Sequence, residues 1–197
     1  MDVLTVIIIS EIMYNPASDE MLPNTVEWVE LYNPGDAAVD LSDWKLADED
    51  GETLPLPEGT TLAAKAALVL IPSEQTGEEF RAAWGEAVPV VPVGQWGKPG
   101  LSGLGNNPSE KNEVLKLIRK DGSASDTVNF DDEGDWPSDE NDGASIYVLP
   151  DQLSADANDS GKAWARSSAD QHGAKACTVT GDFTAADIGS PGTVVTE

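Results

Sequence analysis

Glu113-Val114-Leu115-Lys116-Leu117-Ile118-Arg119, then Lys120-Asp121-Gly122, then Ser125-Asp126-Thr127-Val128-Asn129-Phe130 reads as a β-hairpin. Leu115 and Leu117 alternate with Val114 and Lys116, so one face of the first strand turns inward and the other stays partly wet. Val128 and Phe130 repeat the device one strand later. Asp121-Gly122 between them is a residue pair favoured by tight hairpin turns.

Outward from this hairpin, the same grammar recurs. Short β-branched or apolar runs separated by clusters of Gly, Pro, Asn and Asp predict further strands at 4–12, 26–32, 44–47, 67–71, 88–93 and 144–149, beside 113–119 and 125–130. Asn15-Pro16 and Asn33-Pro34 end strands, because Asn closes a local turn and Pro removes a ladder donor. This pattern of many short strands is that of an all-β sandwich. One stretch is helical: over 73–85, Ser73 is the expected N-cap, Glu78 and Glu79 follow, and Phe80, Ala83 and Trp84 share a face before Gly85. A single helix among strands reads as a short insertion in the sandwich. Residues 94–112 are rich in Gly, Pro and Asn and read as a long loop. With 197 residues the chain suits one domain, its last part, about 155–197, being less regular, with Trp164 and Gly189-Ser190-Pro191-Gly192 folding back onto the body.

The charge is −25, from 36 acidic against 11 basic residues. Such a surface repels nucleic acid and anionic membranes, which are bound through Lys and Arg. The apolar run over residues 3–9 is too short to cross a bilayer and reads as a first strand, so no membrane insertion is expected. The chain's opening reads as following a removed signal or lying inside a longer protein. One cysteine, Cys177, excludes an internal disulfide.

Three groups of motifs carry a family resemblance. The first joins Ile8-Ile9-Ser10-Glu11-Ile12-Met13-Tyr14-Asn15-Pro16 to Glu27-Trp28-Val29-Glu30-Leu31-Tyr32-Asn33-Pro34 and to Val39-Asp40-Leu41-Ser42-Asp43-Trp44-Lys45-Leu46. The second is Pro57-Glu58-Gly59-Thr60-Thr61-Leu62 with the strand at 67–71. The third runs from Glu113-Val114-Leu115-Lys116-Leu117 through Asp126-Thr127-Val128-Asn129-Phe130 and Trp136-Pro137 to Asp142-Gly143-Ala144-Ser145-Ile146-Tyr147, closing with Asn158-Asp159, Trp164 and residues 189–192. Together they resemble the lamin tail domain in its bacterial, exported form, over most of the chain. Residues 80–84, 94–112 and 167–188 depart from the family's pattern. The resemblance implies an immunoglobulin-like β-sandwich. It also implies attachment or recognition within a larger exported bacterial protein, hence an extracellular or cell-surface location.

Candidate site residues come from two residue types. Trp28, Trp44, Trp136 and Trp164 read as core plugs whose indole N–H finds a carbonyl, whereas Trp84 and Trp96 are the candidates for an exposed pair that stacks on a sugar. Acidic clusters place Asp131, Asp132 and Asp135 in one loop and Asp156, Asn158 and Asp159 in another. Calcium takes six to eight oxygens of this kind, so it is the ion these loops would suit, against the plainer reading of solvated loops. The spacing Asp156-x-Asn158-x-Ser160-Gly161 matches only the start of a calcium loop, since Ser167 stands where a bidentate Glu belongs. His172 and Cys177 are each alone of their type, too few for zinc and unsupported as a nucleophilic pair.

The expected function is therefore a non-catalytic recognition or anchoring module that meets protein or polysaccharide through loops or an edge strand. Two alternatives stand beside it: a structural spacer or assembly domain, and a carboxylate-based, calcium-assisted hydrolase. A hydrolase requires convergent carboxylates with displaced pKa values in a concave pocket.

Overall fold

The computed structural model describes residues 5–17, 27–48, 51–94, 103–104, 113–178 and 186–197. Six strands form the larger sheet: β1 (Ile8–Met13), β2 (Trp28–Tyr32), β6 (Ala67–Ile71), β7 (Val90–Pro92), β10 (Ile146–Val148) and β11 (Trp164–Arg166), in the order β11-β10-β1-β2-β6-β7. The smaller sheet is β4 (Lys45–Ala47), β8 (Glu113–Ile118) and β9 (Ala124–Phe130), in the order β4-β8-β9. Two short ribbons complete the set: β3 (Val39–Asp40) with β5 (Thr61–Leu62), and β12 (Lys175–Ala176) with β13 (Ile188–Gly189).

The hairpin expected over residues 113–130 is β8–β9, with Leu115 opposite Val128 and Gly122 at φ +85° in its turn. Its inward residues Leu115, Leu117, Val128 and Phe130 meet Ile9, Ile12, Val29, Leu31, Leu70 and Ile146 of the larger sheet, and these side chains fill the sandwich core. Trp44 and Trp164 belong to that core, and Trp136 packs against it with its ring 5.9 Å from Trp164.

The larger sheet is covered on its other face as well, which is why every residue of β1, β2 and β6 is buried. Over that outer face lies α1 (Gly77–Trp84), packing Phe80, Ala83 and Trp84 onto Met13, Trp28, Val69 and Ile71. The helix starts later than Ser73. Ser73 donates its N–H to Gly94 O, whereas Thr76 and Glu79 cap each other's backbone reciprocally. Nor is the helix a mere insertion: it is the crossover between β6 and β7, which pair in parallel. The short strands β3, β5, β12 and β13 and the three-residue β11 carried too little pattern to be expected from sequence.

Candidate functional site

Along β1 and the residues that flank it, the core-facing side chains are Ile7 and Ile9, then Ile12 and Tyr14. The step from Ile9 to Ile12 is three residues, not two, because the β1–β2 register shifts between Ile9 and Glu11: Ile9 pairs with Leu31, but Glu11 pairs with Glu30. This bulge reverses the parity of the strand. Without it Glu11 would enter the apolar core; with it Glu11 stands on the outer face, directly opposite Glu30.

Both carboxylates are fully buried, at 1% and 0% exposure. A buried charge needs compensating hydrogen bonds, and these come from sequence-distant segments. Glu11 Oε1 accepts from Ser145 Oγ (2.5 Å) and from the Ser190 N–H (2.8 Å), and Oε2 accepts from Ser190 Oγ (2.6 Å). Glu30 Oε2 accepts from the Gly192 N–H (2.7 Å), and Oε1 lies 2.8 Å from Ser10 Oγ. Ser190-Pro191-Gly192-Thr193 forms a turn closed by Thr193 N–H to Ser190 O (2.8 Å), with Pro second and Gly192 at φ +84° third. That is the sequence and dihedral signature of a type II turn, and it aims amide groups at the pair. Gly189 lets this strap lie close, since a Cβ there would sit 2.9 Å from the Trp28 ring and 3.1 Å from Glu11 Oε1.

Burial, and then the charge of Glu11, push the Glu30 carboxyl up to about 8. Burial raises Glu11 as well, against the hydrogen bonds from Ser145 and Ser190. The space beside them, also lined by Tyr147 and His172, is about 10 Å³, room for no more than one water. Convergent carboxylates with displaced pKa values thus exist, and both are fully buried.

On its other side, the strap borders an open cleft of about 400 Å³. The facing wall is the end of α1 and the turn after it, Trp84 to Val88, with Gly173 and Lys175 contributing. Ser190 and Thr193 line both the space beside the carboxylates and the cleft, so one four-residue turn separates the two.

A two-sheet sandwich opened by these strands is what the comparison with known families supports, since the model of the Lamin Tail Domain matches residues 4–132. The chain belongs to the lamin tail domain family. That family is one of non-catalytic, immunoglobulin-like β-sandwich modules. No curated protein matches the chain. The match to the lamin tail domain ends before β10, yet β10 and β11 extend the same sheet from β1 and carry Trp164 into the same core.

Sequence-predicted site residues lie elsewhere on this lamin tail domain. Asp131 turns its carboxylate onto its own loop, accepting from the N–H groups of Asp132 (2.8 Å) and Glu133 (3.1 Å), and Asp135 is 3.4 Å from Lys162 Nζ. Asp132 is half-buried, and desolvation raises its carboxyl. Asp156 and Asp159 are exposed neighbours, and partial burial followed by the charge of Asp156 raises Asp159. Asn158 is a buried clasp: Nδ2 donates to Ile9 O (3.1 Å) and Asp126 Oδ2 (2.7 Å), and its main-chain carbonyl accepts from Trp164 Nε1 (2.8 Å). Among the described residues, no group of three His, Cys, Asp or Glu side chains is placed to hold a metal ion.

Trp84 is also not where a sugar-stacking residue would stand. It is 1% exposed and edge-on to Trp28 at 5.8 Å, because the apolar face of α1 needs it in the outer layer. Trp96 lies outside the described residues. Trp164 finds its carbonyl as expected, whereas the Trp28 indole N–H makes no hydrogen bond. Cys177 packs in the outer layer, where burial pushes its thiol up to about 11, and His172 stacks on Tyr147 at 5.5 Å.

Proposed function

We propose that the chain is a non-catalytic recognition or anchoring module of a larger exported bacterial protein, working outside the cell or at its surface, and that it seats a segment of protein or polysaccharide in the cleft between residues 84–88 and 190–193. The observation that carries this reading is the division of labour at the strap: the Glu11 and Glu30 carboxylates border a space of about 10 Å³, whereas the accessible concavity of about 400 Å³ is lined by Gly85, Ala87, Gly173, Ser190, Gly192 and Thr193 together with the charged Glu86 and Lys175. Such walls suit hydrogen bonding to an extended polar segment. Edge-strand docking is less favoured, because β7 and β11, which end the larger sheet, are three residues each and β7 ends in Pro92. The charge of −25 weighs against nucleic acid and against an anionic membrane as partners.

One observation favours the spacer reading. Among the described residues, the exposed large hydrophobic side chains are Val6 and Leu54, so no broad apolar patch calls for a partner. The two readings separate by amide chemical-shift mapping against a panel of soluble polysaccharides and a peptide library. Recognition predicts shifts at residues 85–88 and 190–193 with at least one probe, abolished by Ala87→Trp, which fills the cleft from an exposed position. Shifts mapping elsewhere, or binding indifferent to Ala87→Trp, overturn the cleft; silence with every probe favours the spacer.

A further inference from the structure

Glu11 and Glu30 are each other's cross-strand partners, and among the described residues no Lys or Arg lines the space they share. The titratable groups facing them are Tyr147 on β10 and His172 in the turn before β12; the strap brings Ser190 and Thr193, and Lys175 lines only the cleft beyond it. Two carboxylates without a cation in a dry space do not both ionise readily.

Hydrogen counting says where the remaining proton sits. Glu11 is within reach of four donors, two from Ser190, one from Ser145 and, at 3.5 Å, one from Ser167, as an ionised carboxylate requires. Glu30 accepts the main-chain N–H groups of Gly192 and Thr193, and its Oε1 stands opposite Ser10 Oγ, which is within reach of two acceptors at once, Glu30 Oε1 (2.8 Å) and Glu30 O (3.3 Å), whereas a hydroxyl owns one hydrogen. A proton on Glu30 Oε1, donated to Ser10 Oγ, leaves the Ser10 hydrogen for the carbonyl and satisfies both contacts.

We propose that Glu11 and Glu30 hold one proton between them, sited on Glu30 Oε1, and that this proton is the latch that keeps the Ser190-Pro191-Gly192-Thr193 strap closed over the sheet. The strap is fastened there through Ser190 to Glu11 and Gly192 to Glu30. Removing the proton leaves two like charges in the enclosure, and lifting the strap is the shortest way to admit water. The latch does not depend on the cleft taking a ligand.

The folded Glu30 carboxyl is raised from 4.5 to about 8, so closing the strap takes up a proton. Closure is at full strength below 4.5 and is lost as pH rises toward 8. Amide hydrogen exchange, corrected for intrinsic rates, reads this directly. Protection of the Ser190, Gly192 and Thr193 amides is expected to fall at least about ten-fold between about pH 6 and pH 8 and then level off, while the β8–β9 amides hold. In Glu30→Gln, whose amide donates to Ser10 permanently, strap protection is expected to stay flat. Equal falls in both proteins, or none in the wild type, overturn the latch. Should Glu30→Gln not fold, the ¹³Cδ titration of Glu30 in the wild-type chain decides: a midpoint well above the ordinary Glu range supports the shared proton, and one near 4.5 overturns it.

Discussion

Asp126 on β9 accepts the main-chain N–H of Ile9 on β1 at 2.7 Å, joining the two sheets through a side chain where no strand pairing exists. Nearby, Ser125 Oγ accepts from Ile7 N (3.0 Å) and donates to Ile7 O (2.9 Å). β10 pairs with β1 only at Glu11 and Ile12, so the first half of that edge is served by β9 side chains and by Asn158. Among the described residues, this edge is thereby served by side chains at Ile7 and Ile9 and by β10 at Glu11 and Ile12.

Asn158→Ala should therefore be costly out of proportion to its size. It removes the donor to Ile9 O and leaves the buried Asp126 carboxylate, already raised by desolvation, short of one partner. Stranding a buried acceptor and weakening a buried charge costs about 2–4 kcal/mol. Urea denaturation measures it, and a loss below about 1 kcal/mol would show that the clasp is idle.

Global stability should depend on pH through Glu30. Its carboxyl is raised in the folded chain, so its contribution is fully present below 4.5 and is lost as pH climbs to about 8. Exposed Asp40 and Asp121 and half-buried Glu79, held low by hydrogen bonds from Ser42, Ser123 and Thr76, act in the opposite sense and only in acid. The difference between wild type and Glu30→Gln isolates the effect. The variant should gain on the wild type by on the order of 3–5 kcal/mol across that window, followed by thermal melts at successive pH values. Parallel curves would remove Glu30 as the cause.

Much of the sandwich was legible because its signals are local. Period-two alternation at Leu115 and Leu117, the Asp121-Gly122 turn and the apolar face of Phe80, Ala83 and Trp84 need no knowledge of the rest of the chain. The carboxylate pair was not. Both residues lie in the motifs that carried the resemblance, but Ile7, Ile8 and Ile9 are all apolar and conceal the parity of β1, and the bulge then shifts it. The available signal was the three-residue step from Ile9 to Ile12 in a strand flanked on both sides by apolar residues. Ser145, Ser190 and Gly192 were beyond sequence reach altogether, since they meet Glu11 and Glu30 across more than a hundred residues. The acidic clusters are conspicuous in composition, and the structure engages Asp131, Asp135 and Asn158 in a local turn, an ion pair and a clasp.

Calcium should leave the melting temperature within about 1 °C of its value in chelator, because binding to the native state alone would raise it. The ion takes six to eight oxygens. Asp131 Oδ1 already serves two N–H groups, Asp135 faces Lys162, and Asn158 offers one uncommitted oxygen, Oδ1, inside the protein. A rise at millimolar calcium that chelator reverses would restore those loops as a site.

A chain ended at Asp132 keeps every residue the family match covers and should not fold. It loses β10 from the edge of β1 and takes Ile146, Val148, Ala163 and Trp164 out of the core. Deleting a buried Trp alone costs about 3–5 kcal/mol, against a total of about 5–15 kcal/mol for a domain. Glu11 would also lose Ser145 and Ser190, and Glu30 would lose Gly192. A collapsed ¹H–¹⁵N spectrum without a cooperative melt is the expected result; a dispersed one would make residues 133–197 an appendage. A longer chain ended at Ser168 separates the two roles of the tail, because it restores β10, β11 and the Asn158 clasp but not the strap. It should melt cooperatively, at a lower temperature, and without the fall in stability between 4.5 and about 8, since Glu11 and Glu30 then face water.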